Sequence, residues 1–426
     1  MTELPDANLP PTSTTGIATR LTMVPARMGS VLLSHGTTDF FSMMIIPILP
    51  VLKMQVGTND AGGAKVIMVG SIASGLVQPI AAWITDRLDT RALGPLGLVL
   101  AAAALAFLGR VDSLFELMLL WGVATIGIGM FHPVVAAAIG QLSGGNRSRG
   151  VAFFFVAGMV GHALGANVSP WWEIQFSTSG YVYMLIPGAV VALILYLGIG
   201  RIPHRHEQAR SRAQAMSVSD HRVRWAAIAV LYVGNILRFT VNMALLTLLW
   251  LWAEETTRQA HGVEELTGAL NQQASLLTGR IETGLILGMA LGGIGAGALI
   301  KPGREKWLII STGCVGVPAI VMMAIVSQFW LAFLFAIISG IGFAAATPLS
   351  LALGQRLLPH RTGLASGLML GGAWMFAAMG PFMAERVVRA WDIATGFGVA
   401  AGLLLLATIL TFALPGALVR GTAVER

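Results

Sequence analysis

The chain has 426 residues, of which 27 are Lys or Arg and 20 are Asp or Glu, so that only 11% are charged. Soluble domains carry roughly 25% charged residues, which excludes an ordinary water-soluble protein. Apolar residues make up 55% of the chain, and the mean hydropathy is +0.76. There is too little polar surface to cover a globule in water, so the composition indicates that lipid surrounds most of the chain.

Twelve apolar runs follow one another along the sequence. A helix needs about 20 apolar residues to cross a bilayer core of about 30 Å. The runs lack the alternation of apolar and polar residues that marks outer-membrane strands. We therefore expect an all-α membrane protein with twelve transmembrane helices. The runs cover about residues 31–52, 66–85, 93–109, 114–140, 150–169, 181–200, 225–252, 276–300, 307–327, 329–355, 362–385 and 394–415.

The segments outside these runs suggest a domain organisation. Residues 1–28 contain prolines and acids and no continuous apolar stretch, which predicts a disordered cytoplasmic tail and not a cleaved signal. We expect a six-helix bundle over residues 29–200, a basic cytoplasmic linker over 201–224, a second six-helix bundle over 225–415, and a cytoplasmic tail over 416–426.

The distribution of positive charge predicts the orientation. Most Lys and Arg residues fall in segments on the side of the two termini, which indicates that both termini are cytoplasmic. The net charge of +7 is then a topology signal, and no nucleic-acid partner is expected. The single cysteine, Cys314, excludes an intramolecular disulfide and a cysteine-based metal cluster.

An internal repeat divides the chain in half. At an offset of half the chain length, Gly127-Ile128-Gly129 matches Gly340-Ile341-Gly342, and Gly158 matches Gly371. Two pseudo-symmetric six-helix bundles are the economical interpretation, with a substrate site between them near the bilayer midplane. Gly161 and Gly165 lie on the same helix face as Gly158, which favours close helix packing there.

Ionisable residues inside the spans are the candidate functional groups, because they are costly in lipid. His35 and Asp39 in the first span lie one helical turn apart on one face. Such a carboxylate is suited to picking up and releasing protons. In the fourth span, His132 precedes Pro133, and a kink beside an imidazole suggests a cavity wall.

The seventh span, which corresponds to the first in the repeat, carries Asn235, Arg238 and Asn242 on one face. Arg238 cannot be deprotonated, so it needs an anion, either a side chain or a substrate. We expect Asp39 to be its partner. The pair would be either a permanent structural link between the halves or a switch for which substrate and proton compete; we favour the switch.

A metal site is a further alternative. His35, Asp39, His132 and His162 are donors that suit a first-row divalent ion. Nothing in the sequence requires the last two to converge on the first two, so no metal ligands are predicted. His162 is equally consistent with a packing role.

The remaining polar features have structural interpretations. The acidic segment from Glu254 to Gln273 is expected to be a solvated outer loop, with a short helix over the cavity mouth as the alternative. Tryptophans near the span ends are expected to anchor the chain at the membrane interface; they are Trp171, Trp172, Trp250, Trp252 and Trp391. No phosphate-binding glycine loop or nucleophile motif occurs, so neither an enzyme nor a cofactor is expected, and energy must come from an ion gradient.

The loop after the second span carries Asp86, Arg87 and Arg91. Together with twelve spans in two halves, these residues resemble the major facilitator superfamily. In that family this loop has the pattern Gly-x-Leu-x-Asp-Arg-x-Gly-Arg. Asp86 and Arg87 stand as in that pattern, whereas its glycines and last arginine are changed. The resemblance implies the major facilitator fold and a gating role for these loop residues.

Within that superfamily the chain resembles the fosmidomycin-resistance group of bacterial efflux proteins. The similarity lies in Ser34-His35 with Asp39, in Phe131-His132-Pro133, and in the cation Arg238. Val134 stands where the group usually has a glutamate, which increases the importance of Asp39. The resemblance implies proton-driven export of small molecules. We expect proton coupling through Asp39, His35 and His132, and substrate binding by Arg238, Asn235, Asn242 and His132.

The expected function is therefore proton-coupled export of a small compound or drug, with an anion among the substrate classes considered. We expect a monomer in the bacterial inner membrane, working on a small-molecule substrate and protons within the lipid bilayer. Three alternatives stay open. They are a proton symporter that imports a small carboxylate or other anion, a metal-ion transporter, and a transport-inactive receptor or scaffold.

Overall fold

The computed structural model describes residues 14–87, 92–142, 147–199, 218–299, 303–358, 365 and 367–416, and within these ranges it contains helices and turns and no strand. The α-helices are α1 Thr14–Ser42, α2 Leu49–Gln55, α3 Asp60–Arg87, α4 Leu93–Ala106, α5 Leu114–Leu142, α6 Arg147–Phe176, α7 Leu185–Ile199, α8 Val218–His261, α9 Ala269–Leu299, α10 Glu305–Met323, α11 Phe329–Ala344, α12 Ala346–Leu357, α13 Ala373–Ala377, α14 Gly380–Ala390 and α15 Ile393–Phe412.

The predicted all-α membrane architecture is confirmed. Eleven segments of the described residues are long and apolar enough to cross a membrane, and they coincide with every predicted span except the eleventh. That run, residues 362–385, is divided into a π-helical turn at Leu368–Gly372, then α13 and α14. Pro381 opens α14 and has no N–H to donate to the preceding turn, so one uninterrupted helix does not form.

Two predicted boundaries differ from the structure. Helix α1 begins at Thr14, so residues 14–28, which we expected to be disordered, are helical. At the other boundary, α8 begins at Val218 and runs to His261, and it includes both the end of the predicted linker and the start of the predicted outer loop.

The helices form two groups that meet along two seams. In the first group α1, α3, α4 and α6 pack against α5, and α7 packs against α1 and α4. In the second group α9, α12, α14 and α15 pack against α8, while α10 lies against α11 and α15. The groups contact each other through α6 against α9 and through α3 against α13 and α14. These seams are where a relative movement of the two groups would have to occur.

The repeated glycines allow close helix approach in both groups, but against non-equivalent neighbours. A Cβ atom on Gly127 would collide with the carbonyl of Gly97 in α4, whereas one on Gly340 would collide with the carbonyl of Leu285 in α9. In a two-fold arrangement α4 corresponds to α10, and α9 corresponds to α3. Positions that match in the sequence repeat therefore pack against helices that do not correspond. A glycine suits both contacts, because α5 and α11 each have close neighbours on more than one face.

A buried ion network joins the two groups at the end of the bundle where α2 lies. Lys53 Nζ in α2 donates to Glu254 Oε1 and Oε2 in α8, at 2.8 Å and 3.0 Å, and it also contacts Asp60 at the start of α3. Trp250 Nε1 donates to Glu254 Oε1 at 2.8 Å, and Lys53 Nζ lies 4.7 Å from the centre of the Trp250 ring.

This network corrects two expectations from the sequence. Glu254 is 2% exposed and belongs to a helix, so it does not begin a solvated loop. Trp250 is fully buried and is not an interfacial anchor. Glu254 can be buried because Lys53 in α2 supplies the opposite charge and hydrogen bonds to its carboxylate. Trp250 can be buried because its N–H is used on the same carboxylate.

We expect Glu254→Gln to destabilise the protein by about 3 kcal/mol, because removing one member of a buried ion pair leaves the other charge uncompensated. Asp60 stays in contact with Lys53, so the loss of stability should lie at the lower end of the range for broken buried ion pairs. The matched control is Glu255→Gln, since the neighbouring Glu255 is 41% exposed and pairs with Arg258 at 3.2 Å; its loss should cost less than about 1 kcal/mol. Thermal unfolding of both purified variants measures the difference, and equal shifts would contradict the inter-group role of Glu254.

Candidate functional site

The first helix presents two polar groups to the interior. His35 and Asp39 lie one turn apart in α1, and both are buried. The hydroxyls beside them are used within the helix, because Ser34 donates to Val31 O and Thr38 donates to Ser34 O, both at 2.9 Å. The imidazole and the carboxylate are therefore the groups of this stretch that reach the neighbouring helices.

Three imidazoles from three helices surround the carboxylate of Asp39. His35 Nε2 in α1 lies 3.4 Å from Oδ2, His132 Nε2 in α5 lies 3.2 Å from Oδ1, and His162 Nε2 in α6 lies 3.7 Å from Oδ2. The side chains of His132 and His162 are 29% and 22% accessible, so the cluster is open on one side. We call these four side chains the Asp39 cluster.

Backbone carbonyls fix the tautomers of two of the imidazoles. His35 Nδ1 lies 2.8 Å from Phe154 O, and His132 Nδ1 lies 2.8 Å from Ile128 O. A carbonyl oxygen can only accept a hydrogen bond, so each Nδ1 carries the hydrogen. In the neutral form, each Nε2 then directs a lone pair at Asp39. An ionised Asp39 facing these lone pairs has no hydrogen to share, so the cluster requires a proton or another cation.

Aromatic rings hold the plane of His35. Its imidazole stacks on Phe154 with ring centres 3.6 Å apart and an interplanar angle of 3°, and Phe131 lies nearly parallel at 6.3 Å. The His132 ring meets His35 edge-on at 5.5 Å. The direction of the His35 Nε2 lone pair is therefore fixed by the packing of its ring.

Close packing of α1 against α6 brings the cluster together. A Cβ atom on Gly161 would collide with the carbonyl of Gly36, and one on Gly165 with the carbonyl of Phe40, which confirms the predicted close packing. Gly158 has a different neighbour, since its Cβ atom would collide with Asp39 Oδ2 and the His35 ring. The absence of a side chain at position 158 is thus a condition for the cluster itself.

Arg238 does not contact Asp39, so the predicted pair is wrong for this structure. Its Nη2 donates to Ala407 O at 3.0 Å and to Thr411 Oγ1 at 2.8 Å, both in α15. The side chain is buried, and the prediction failed because helical spacing gives the face of a residue but not the neighbour that this face meets. Among the described residues, no carboxylate lies within the 4.0 Å ion-pair distance of Arg238.

The two asparagines predicted beside Arg238 also lie within the second helix group. Asn235 Nδ2 donates to Ser350 Oγ at 2.9 Å and to Met369 O at 3.0 Å. Asn242 is buried, and its Oδ1 has no hydrogen-bond partner among the described residues. Of the loop residues predicted to act in gating, Asp86 and Arg87 fall at the end of α3, and their side chains are outside the described part. Arg91 lies outside the described residues altogether.

Two further polar residues are buried or close to the site. His162, which the sequence left open between a packing role and a functional one, belongs to the Asp39 cluster. Glu282 in α9 is fully buried, and neither carboxylate oxygen has a hydrogen-bond partner within the part of the chain that the structure describes. A simple signal for Glu282 was present, since it is an acid within the apolar run 276–300.

We expect Gly158→Ala to disrupt the Asp39 cluster, because the added methyl group would occupy the space of the Asp39 carboxylate and the His35 ring. The variant should insert into the membrane but unfold at a lower temperature than the wild-type chain, because the buried side chains have to move apart. The matched control is Gly295→Ala, since a Cβ atom there meets nothing within 4 Å. Thermal unfolding of both purified variants measures the effect, and an unchanged unfolding temperature in Gly158→Ala would contradict this steric role.

Comparisons with known proteins agree with this architecture. The fosmidomycin resistance protein of Escherichia coli (strain K12) is 23% identical over 389 residues, which cover 90% of this chain and 92% of that protein. A solved bacterial homologue of the human lysosomal transporter Spinster, inward-facing and unoccupied, superposes with a TM-score of 0.67 at 15% identity and covers 93% of this chain and 98% of its own. The nucleoside transporter NupG superposes with a TM-score of 0.67 at 14% identity, covering 90% and 99% of the two chains.

The family follows from a match over more than half of the sequence. The model of the Major Facilitator Superfamily matches residues 31–268, and the solved structures share the fold over nearly the whole chain. These relatives are membrane transporters and not enzymes. The chain is a multi-pass membrane transporter that belongs to the major facilitator superfamily.

Proposed function

We propose that this transporter exports a small anionic compound across the bacterial inner membrane in exchange for protons, with both termini in the cytoplasm. Membership of the superfamily supports transport of a small molecule. Similarity to a fosmidomycin resistance protein over 90% of the chain supports export and a drug among the substrates. The two seams between the helix groups support alternating access by a rocking movement.

The orientation of the imidazoles in the Asp39 cluster is the observation that carries the proton coupling. His35 and His132 use their Nδ1 hydrogens on backbone carbonyls, so their Nε2 atoms face the carboxylate as acceptors. One shared proton converts an unfavourable contact of lone pairs into a charge-assisted hydrogen bond. Entry of water or separation of α1, α5 and α6 weakens this bond and releases the proton.

Arg238 supports an anionic substrate. It is 4% exposed, and its two hydrogen-bond acceptors, Ala407 O and Thr411 Oγ1, carry no formal charge. A buried guanidinium without a counter-charge is costly. A substrate carboxylate or phosphonate-like group would supply that charge, and two of its oxygens could accept hydrogen bonds from the planar guanidinium at the same time.

The proton and the anion are then bound by different helix groups. The Asp39 cluster belongs to the first group and Arg238 to the second, so the two events are coupled through the movement of the groups and not through a direct ion pair. The loop residues Asp86, Arg87 and Arg91 would stabilise one end state of that movement, as the family resemblance implies.

We expect Asp39→Asn to abolish transport driven by a pH gradient and to retain exchange of substrate across the membrane without a gradient. The Asn amide can donate a hydrogen bond to an imidazole Nε2, so the variant resembles a permanently protonated site. Proteoliposomes with an imposed pH gradient measure the flux, with labelled fosmidomycin as the first probe and a panel of small anions after it. The control is His261→Gln, because His261 is exposed and bonds to Thr257 O of its own helix. Unchanged pH-driven flux in Asp39→Asn would rule out this coupling site.

We expect Arg238→Gln to lose transport of anionic compounds and to retain transport of neutral ones of similar size, because only the former need a counter-charge. Arg238→Lys should keep part of the anion transport. Arg110→Gln is the control, since Arg110 is exposed and its guanidinium carbon lies 5.5 Å from the centre of the Phe107 ring. Competition assays with charged and neutral members of the panel measure the selectivity, and equal loss for both classes would show that Arg238 has only a packing role.

A further inference from the structure

The donors of the Asp39 cluster converge in a way that the sequence did not predict. His35, Asp39 and His132 offer ligand atoms that all lie within 4.8 Å of one another, and His162 Nε2 reaches the same carboxylate. Helical spacing explains only the first two, whereas α5 and α6 bring the others. We infer that His35, Asp39, His132 and His162 form a binding site for one first-row divalent transition-metal ion, such as Zn²⁺ or Co²⁺.

The imidazoles are oriented as metal ligands are. In protein metal sites a ligating histidine donates its second ring N–H to a backbone carbonyl or carboxylate, which fixes the tautomer and makes the ligating nitrogen more basic. His35 and His132 both have this arrangement, through Phe154 O and Ile128 O at 2.8 Å. Each Nε2 lone pair therefore points inward before an ion arrives.

The spacing of the donors also fits such an ion. Ligands 2.0–2.1 Å from a tetrahedral Zn²⁺ lie about 3.3 Å from each other. The distances from the Nε2 atoms to the Asp39 oxygens are 3.2 Å, 3.4 Å and 3.7 Å. His35, Asp39 and His132 therefore have the spacing of metal ligands, whereas His162, whose Nε2 lies 3.7 Å from the carboxylate, would have to move inward to complete the site.

The chemistry of the donors narrows the class of ion. Three imidazole nitrogens and one carboxylate suit Zn²⁺ and Co²⁺, whereas Ca²⁺ and Mg²⁺ prefer sites made of oxygen ligands. The partly accessible rings of His132 and His162 give an ion a side from which to enter. Stacking of His35 on Phe154 limits the rearrangement that binding requires.

The test is metal binding to the full-length protein, purified in detergent without a histidine tag. Equilibrium dialysis against ZnCl₂ gives the stoichiometry, and the visible absorption of added Co²⁺ reports a tetrahedral site with nitrogen and oxygen ligands. We expect one ion per chain, and at least tenfold weaker binding with loss of the Co²⁺ bands in His132→Gln and in Asp39→Asn. MgCl₂ in excess should not compete.

The matched control is His261→Gln. Its imidazole also bonds through Nδ1 to a carbonyl one turn earlier, at 3.0 Å, but its environment is exposed. We expect wild-type binding in this variant. His162→Gln is the third ligand variant, and we expect it also to weaken Zn²⁺ binding. Thermal unfolding of each variant without metal verifies that the fold is kept.

Three outcomes would overturn the inference. They are no binding of Zn²⁺ or Co²⁺ by the wild-type chain, undiminished binding by Asp39→Asn and His132→Gln, and equal weakening by His261→Gln. The binding measurement requires no transport, so its result is independent of the proposed export and proton coupling. A chain that binds Zn²⁺ and shows no pH-driven flux would keep the metal site and refute the coupling, and the reverse result would refute only the metal site.

Discussion

The carboxylate of Asp39 is enclosed by three imidazoles, and the Nε2 lone pairs of His35 and His132 point toward it. This contact constrains the first helix group. Because two of these imidazoles have already used their Nδ1 hydrogens, the cluster is electrostatically complete only with an added cation. Its assembly requires α6 to approach α1 closely, which Gly158, Gly161 and Gly165 permit. The same close approach of α1 and α6 therefore determines both the helix packing and the geometry of the cluster, and both require glycine at position 158.

The second helix group carries its own unsatisfied charge. Arg238 bonds to neutral acceptors in α15, and no carboxylate of the described residues reaches it. In the function that we propose, a cation site in one group and an anion site in the other communicate through rigid-body movement. The buried contact of Lys53 with Glu254 then has a mechanical role, because it joins the two groups at one end of the bundle and has to break if that end opens.

Periodicity predicted which residues share a helix face, and it was right where the partner lies on the same helix. The spacing of His35 and Asp39 brings both into the cluster. The same reasoning failed for Arg238, since the expected contact with Asp39 depended on how α8 rotates within its group. The prediction of a solvated loop at Glu254 also failed, because the sequence does not show that Lys53, 201 positions away, lies against this residue.

The sequence by itself determined that lipid surrounds most of this protein, how many apolar runs it has and that it divides into two halves. The length of an apolar run and an internal repeat are properties of the chain alone. The resemblance to the superfamily could be recognised from short motifs and was confirmed. Only the tertiary structure decided that His132 and His162 converge on Asp39 while Arg238 does not. Convergence of side chains from α1, α5 and α6 depends on helix rotation and on contacts between residues more than ninety positions apart, and no local pattern in the sequence encodes either.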